Sequence, residues 1–235
     1  AGAVLAAAGT SVDAALQSVA RSAGVTQAAV RGPLTVRLHT SGDEIVPGPL
    51  GESLAPGQLP DTASAPVAAL LTGSGLQVQP GGHLRDTSGA FDAALAAPAT
   101  DLVVIIGATG HGIADRLRTA LHDADADAEI LIDGVQLRPG GSMLVARLAG
   151  GGVLLGLGGN PLAAVAGAAL MLPPIRAALT AAAPAAPEVL TLADPAAVQV
   201  DRHWRVLPVE PDGTGGWRAT AGRGTGHLAS AIGFR

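Results

Sequence analysis

DLVVIIGATGHGIADRLRTAL, Asp101 to Leu121, is the stretch whose reading decides the fold. Asp101 to Ile106 reads as a buried strand, a glycine-punctuated loop follows, and Ile113 to His122 reads as an amphipathic helix with arginines on its outer face. At Gly107, Gly110 and Gly112 no side chain screens the backbone. N–H groups there can face a ligand, and the helix adds its positive N-terminal end. A phosphate, carboxylate or other oxyanion is therefore expected near residues 107–113. The same glycines would equally serve a tight turn that binds nothing, since the spacing GxxGxG is neither Walker A nor the Rossmann fingerprint.

Working outward, strands alternate with helices. LTVRLHT at 34–40 reads as a strand, the proline and glycine cluster 47–60 as a loop, and a helix with Ser64 as N-cap and Pro66 in its first turn ends near Gly73. LQVQP at 76–80 is a second strand and Phe91 to Ala97 a helix. Beyond the glycine loop, 143–148 and 153–157 form a hairpin around GGG, and Pro161 to Leu172 a helix capped by Asn160. This order predicts an α/β fold over residues 31–183: three layers, α/β/α, around a mostly parallel sheet, with ligands at the carboxyl ends of strands. Residues 1–30 read as a short helical remnant of a preceding module, with a helix at 11–23 capped by Ser11 or Asp13 and stopped by Gly24. An alanine and proline linker at 177–190 leads to a small β module at 188–235, with strands near 198–209 and 216–221.

Composition narrows the function. Apolar residues make up 48% of the 235 but aromatics only 2%, so the core is built from Ala, Val, Leu and Ile. A net charge of −5 argues against nucleic acid as a partner, because duplex binding needs a basic face. No cysteine is present, which excludes disulfides and thiolate metal sites and is compatible with a reducing cytoplasm, the expected location. The first residues lack a basic n-region, so a start inside a larger protein is expected rather than a signal peptide. From Leu148 to Ile175 no residue is charged, yet Gly156 to Pro161 and Pro173-Pro174 interrupt the run. Freed backbone groups do not face lipid, so this segment is expected to be a buried strand, turn and helix rather than a membrane span.

Three acids follow strands of the proposed sheet: Glu44 in TSGDE, Asp86 in LRDT and Asp115 at the start of the helix after the glycine loop. Converging carboxylates repel unless a cation or proton intervenes, and an oxygen-rich site of this kind suits Mg²⁺ bridging to a phosphorylated ligand. Each acid also has an ordinary structural reading: Asp43, beside Glu44, as a turn residue, Asp86 as a helix cap, Asp115 as a partner of the helix dipole. Histidines 39, 83 and 111 lie beside these motifs in no zinc spacing and read as local substitutions.

Taken in order, HTSGDEIVPG (39–48), PGQLPDT (56–62), HLRDTSGAFDAAL (83–95), LRPGGSMLVARL (137–148), LLGLGGNPLAAV (154–165) and GRGTGHLASAIGF (222–234) resemble the molybdopterin molybdotransferase family, bacterial MoeA and the gephyrin E domain. The resemblance implies a MogA-like molybdopterin-binding domain and insertion of molybdenum from molybdate into adenylated molybdopterin with release of AMP. It implies Asp86 as the catalytic carboxylate, with Glu44 and Asp115 holding Mg²⁺ or shaping the molybdate pocket. It assigns the cofactor to Ser41, Gly42, Asp61, Gly107, Thr109, Gly110, Gly112, Arg138, Gly159, Asn160 and Pro161. Self-association into a homo-oligomer is a further expectation.

The chain departs from that pattern. GATG at 107–110 is similar to the GGTG of molybdopterin adenylyltransferases rather than the usual SGGVS. All 14 basic residues are arginine, so the lysines of the family's KPGKP segment are replaced by LRPGGS, leaving Arg138 and Gly141. Arginine forks a carboxylate or phosphate but does not replace a point-charge lysine. A catalytically degenerate binder without transferase activity therefore stands as the alternative.

Overall fold

The computed structural model describes residues 3–48, 53–96, 100–107, 109, 116–123, 128–183, 186–198 and 202–220. Its centre is a six-stranded sheet of β1 (Thr35–Ser41), β4 (Gln77–Leu84), β5 (Leu102–Ile106), β6 (Glu129–Asp133), β8 (Leu144–Arg147) and β9 (Val153–Leu157), in spatial order β4-β1-β5-β9-β8-β6. β4, β1, β5 and β9 run parallel, and β8 is antiparallel to both β9 and β6.

Strand β5 shows why the sheet is central. All of LVVII is buried, and alternate side chains join opposite cores. Leu102, Val104 and Ile106 pack with helices α2 (Ser64–Gly73) and α5 (Pro161–Thr180), through Val67, Leu71, Leu172 and Ile175. Val103 and Ile105 pack with α3 (Ser88–Leu95) and α4 (Arg116–Asp123), through Phe91, Leu117 and Leu121. The three-layer α/β/α arrangement follows from that two-sided apolar strand.

Several local expectations change. Ser64 does not cap α2: the N-cap position is Ala63, and the Asp61 carboxylate accepts from the backbone N–H of Ala63 and Ser64, at 3.0 Å each. Helix α3 begins at Ser88 rather than Phe91. Strand β4 continues past Pro80 to Leu84 because Gly81 forms a bulge, with Leu38 opposite Pro80 but His39 opposite Gly82. A proline is tolerated there because β4 is an edge strand. Helix α5 does not stop at Leu172 but runs through Pro173 and Pro174 to Thr180. Both prolines are exposed while Leu172 and Ile175 stay buried, so the carbonyls they leave without donors lie on the solvent side. The 20-residue α5 is the one described helix long and apolar enough to cross a membrane, and its apolar face lies against the sheet.

Leu59–Pro60, inside the segment expected as loop, forms strand β3 and pairs in parallel with β2 (Ile45–Val46) as a short ribbon. Strand β6 and β7 (Leu137–Arg138) were not foreseen. β10 (Trp204–Arg205) pairs in parallel with β7, and β11 (Val209–Pro211) forms an antiparallel hairpin with β12 (Trp217–Ala219). The first strand of the expected C-terminal module is thus joined to the main domain. At the other end, α1 (Ala14–Ser22) takes Asp13 as its cap, through a 2.8 Å bond from the Leu16 N–H, and buries no residue.

Candidate functional site

From β1 the chain passes through α2 to β4 on one side, and from β4 through α3 to β5 on the other. The direction of strand addition reverses between β1 and β5, and a crevice opens at the carboxyl ends of two such strands. A cavity of about 500 Å³ lies at that point, a volume suited to a small ligand. Ser41 and Glu44 reach it from the end of β1, Gly107 from the end of β5, Asp61 from the start of α2, and Gly159, Asn160 and Pro161 from the turn after β9. Residues chosen on separate motifs thus converge on one cavity. The lining that sequence does not announce includes two hydroxyls, Thr40 and Thr62, and an apolar part to which Ile45, Leu59 and Pro60 of the β2–β3 ribbon contribute, in a segment whose few hydrophobics are separated by prolines and glycines.

Close backbone contacts shape this cavity. The Gly107 N–H donates to the Leu157 carbonyl at 2.9 Å, tying β5 to β9. Gly107 has φ +114°, and a Cβ there would lie 2.5 Å from the Ser41 carbonyl oxygen, so β1 and the glycine loop approach too closely for any side chain. Ser41 is buried and its hydroxyl donates to the Ile106 carbonyl at 3.1 Å. Gly42, at φ +117°, lets the Glu44 carboxylate fold back to 2.9 Å from where a Cβ would stand.

The electrostatics are mixed. The N-termini of α2 and α5 both open into the cavity, and each presents partial positive charge. Asp61 neutralises the first by capping it, while the neutral Asn160 caps the second, its side-chain oxygen accepting from Leu162 N–H at 3.0 Å and Ala163 N–H at 3.2 Å. Among the described lining residues the only ionised side chains are Glu44 and Asp61, and no cation faces the space. Asp61→Ala is expected to lower stability by about 1 kcal/mol, the usual cost of a lost cap, read as a shift of the urea midpoint at constant slope.

Other chosen residues sit elsewhere. Asp86 is not part of the cavity wall; its N–H donates to Asp43 Oδ1 at 3.3 Å. The β1 and β4 loops therefore meet through Asp43, which sequence reasoning took as a turn residue. Arg85 lies 4.0 Å from the same carboxylate in an exposed pair that contributes little. Arg138 lies on β7, opposite Arg205 of β10, and does not line the cavity. Thr109, expected to face ligand, points inward instead: it is 1% exposed and its hydroxyl lies 3.2 Å from Ser142 Oγ. Gly110, Gly112, Asp115 and His111 lie outside the described residues. Among the described residues no group of three or more acids or histidines stands where it could hold a metal ion, and Asp115, the third acid expected at Mg²⁺, lies outside them.

The model of the family described as "Probable molybdopterin binding domain" matches residues 38–177. The chain belongs to this family. The matched segment runs from β1 into α5 and contains every strand of the central sheet except its first three residues, so the molybdopterin-binding domain and the cavity coincide. Its fold is similar to two crystal structures of molybdopterin biosynthesis moeA protein from Pyrococcus horikoshii. One has a TM-score of 0.71 at 18% identity over 98% of this chain, the other 0.67 at 21% over 97%. A molybdenum cofactor biosynthesis protein from Pyrococcus furiosus matches with a TM-score of 0.58 at 16% identity, over 95% of this chain and 67% of its own. The chain spans 55% of the length of each Pyrococcus horikoshii protein.

Proposed function

We propose that this molybdopterin-binding domain acts in molybdenum cofactor biosynthesis, holding adenylated molybdopterin while molybdenum passes from molybdate to the pterin dithiolate and AMP is released. The observation that carries the reading is the meeting of Ser41, Glu44, Gly107, Gly159 and Asn160 around one cavity at the switch point of the sheet. Gly107 brings bare backbone to the ligand, the N-terminus of α5 favours an anionic group, and the pterin itself supplies the sulfur atoms that take the metal. Glu44 supports the reading as a lining carboxylate that caps no helix, whereas Asp86, one loop away, meets Asp43 only through its backbone N–H.

One observation favours a second reading, a module that binds molybdopterin without turning it over. A wall whose described residues carry two acids and no cation is poorly suited to capturing molybdate, a dianion. AMP release from adenylated molybdopterin, measured with and without molybdate, separates the two. Transfer predicts molybdate-dependent AMP, lowered about a hundredfold in Glu44→Gln with affinity within about twofold of wild type, the pattern of a contact made mainly in the transition state. Binding with no AMP at any molybdate concentration establishes the second reading, and no binding at all overturns both.

A further inference from the structure

Sequence reasoning places the arginines of α4 on its outer face, but Arg118 turns inward. Its side chain is 15% exposed, and three of its donors are directed at two partners. Nε and Nη2 both reach Asp133 Oδ1 at the end of β6, at 2.8 and 2.5 Å, and Nη1 donates to the Thr109 carbonyl at 3.3 Å. Thr109 is held from its other end as well: its hydroxyl lies 3.2 Å from Ser142 Oγ, and its methyl lies 2.9 Å from where a Cβ on Gly156 of β9 would stand. Ser142 in turn comes within 3.2 Å of the Cβ position of Gly158. Two residues before Thr109, Gly107 lines the cavity, and its Cα lies 3.5 Å from the Cβ position of Gly159, which also lines it.

We propose that Arg118 is a positioning residue of the ligand site, holding Thr109 by its carbonyl against Asp133 and Ser142 so that Gly107, two residues earlier, keeps its spacing to Gly159. The proposal rests on the molybdopterin reading of the cavity. The Arg118 side chain is mostly covered while its Asp133 partner is 47% exposed, and the bond to the Thr109 carbonyl is what sets it apart from a surface ion pair: it bears on where Thr109 stands, and ligand affinity is sensitive to the groups that orient the contacting residues. The same molecule provides the comparison. Arg147 and Glu129 pair at 2.8 Å across β8 and β6, but with side chains 56% and 57% exposed and no bond to any cavity loop.

The test measures three quantities on the full chain: Kd for molybdopterin by calorimetry, hydrogen exchange at the Gly107 and Thr109 amides, and Tm. Arg118→Met should raise Kd about tenfold and speed exchange at these amides, and Arg118→Lys, which retains one donor direction, should recover part of both. Arg147→Met should change neither. A fall in Tm with unchanged Kd and unchanged exchange at these amides assigns Arg118 to stability alone and overturns the proposal. If wild type binds no molybdopterin, the functional reading falls and this inference falls with it; if wild type binds and Arg118→Met binds equally, only the inference falls.

Discussion

Gly107→Ala should abolish molybdopterin binding and cost about 2–5 kcal/mol of stability, combining about 1–2 kcal/mol for a left-handed backbone with about 1–3 for an overfilled contact. The overlap is with backbone, which cannot rotate away: the added Cβ would stand 2.5 Å from the Ser41 carbonyl oxygen and 2.8 Å from its hydroxyl. Relief would require β1 and β5 to separate at the cavity, breaking the bond from Ser41 Oγ to the Ile106 carbonyl. Gly75→Ala isolates the conformational part, because Gly75 has φ +82° with nothing within 4 Å of its Cβ position. Only about 1–2 kcal/mol is expected there, with binding unchanged. Urea midpoints and calorimetry on both variants check the comparison. If the two lose equal stability and both bind molybdopterin, the close approach of β1 to the glycine loop has no part in the site.

The framework was legible because it rests on residue type. LVVII can only be covered on both faces, and the alternation of strands and helices around it fixes a parallel sheet and the end at which ligands gather. Asn160 before Pro161 announces the start of α5 by hydrogen-bonding chemistry alone. What stayed hidden depends on where side chains point after folding. Pro173 and Pro174 read as a stop, yet their placement on the exposed side of α5 lets the helix continue. Glu129 to Asp133 alternates between exposed and half-buried positions on a sheet edge, a weak pattern beside the acidic run before it.

At the cavity, Gly107 is legible from its residue type, whereas contacts between residues distant in sequence are not. Glycine at 107 is informative wherever it falls, because it states that a side chain does not fit. Thr109 and Arg118 give no such signal. A threonine in a glycine loop reads as a ligand contact, and only the fold shows its hydroxyl directed at Ser142 and its carbonyl held by an arginine from α4. The family resemblance did not separate these cases either, since it assigns roles to positions whereas the contacts join residues far apart in sequence.

His39 carries the second large effect. Its ring is 3% exposed on β1, and neither nitrogen has a hydrogen-bond partner among the described residues. The bulge at Gly81 makes room for it: a Cβ on Gly81 would stand 2.4 Å from Cε1 and Nε2 of the ring. Burial pushes the imidazole pKa below its ordinary 6.5, Arg37 pushes it further the same way, and the Gly82 backbone opposes this without reaching hydrogen-bond geometry. The folded state therefore binds fewer protons than the unfolded chain, so stability is fully present above the unfolded value of 6.5 and is lost as pH falls from there toward the folded pKa. The slope is at most about 1.4 kcal/mol per pH unit for one proton. His39→Leu keeps a similar volume and removes the titration, so its stability should stay flat over the range in which wild type declines, once the other histidines are subtracted as common to both. Gly81→Ala should cost about 3 kcal/mol beside the histidine but less than about 1 kcal/mol in a His39→Ala background, a coupling that measures the ring contact itself. Equal costs in the two backgrounds would show that Gly81 serves the turn of the backbone and not the imidazole, and parallel pH profiles for wild type and His39→Leu would show that the ring is hydrated in solution despite its burial.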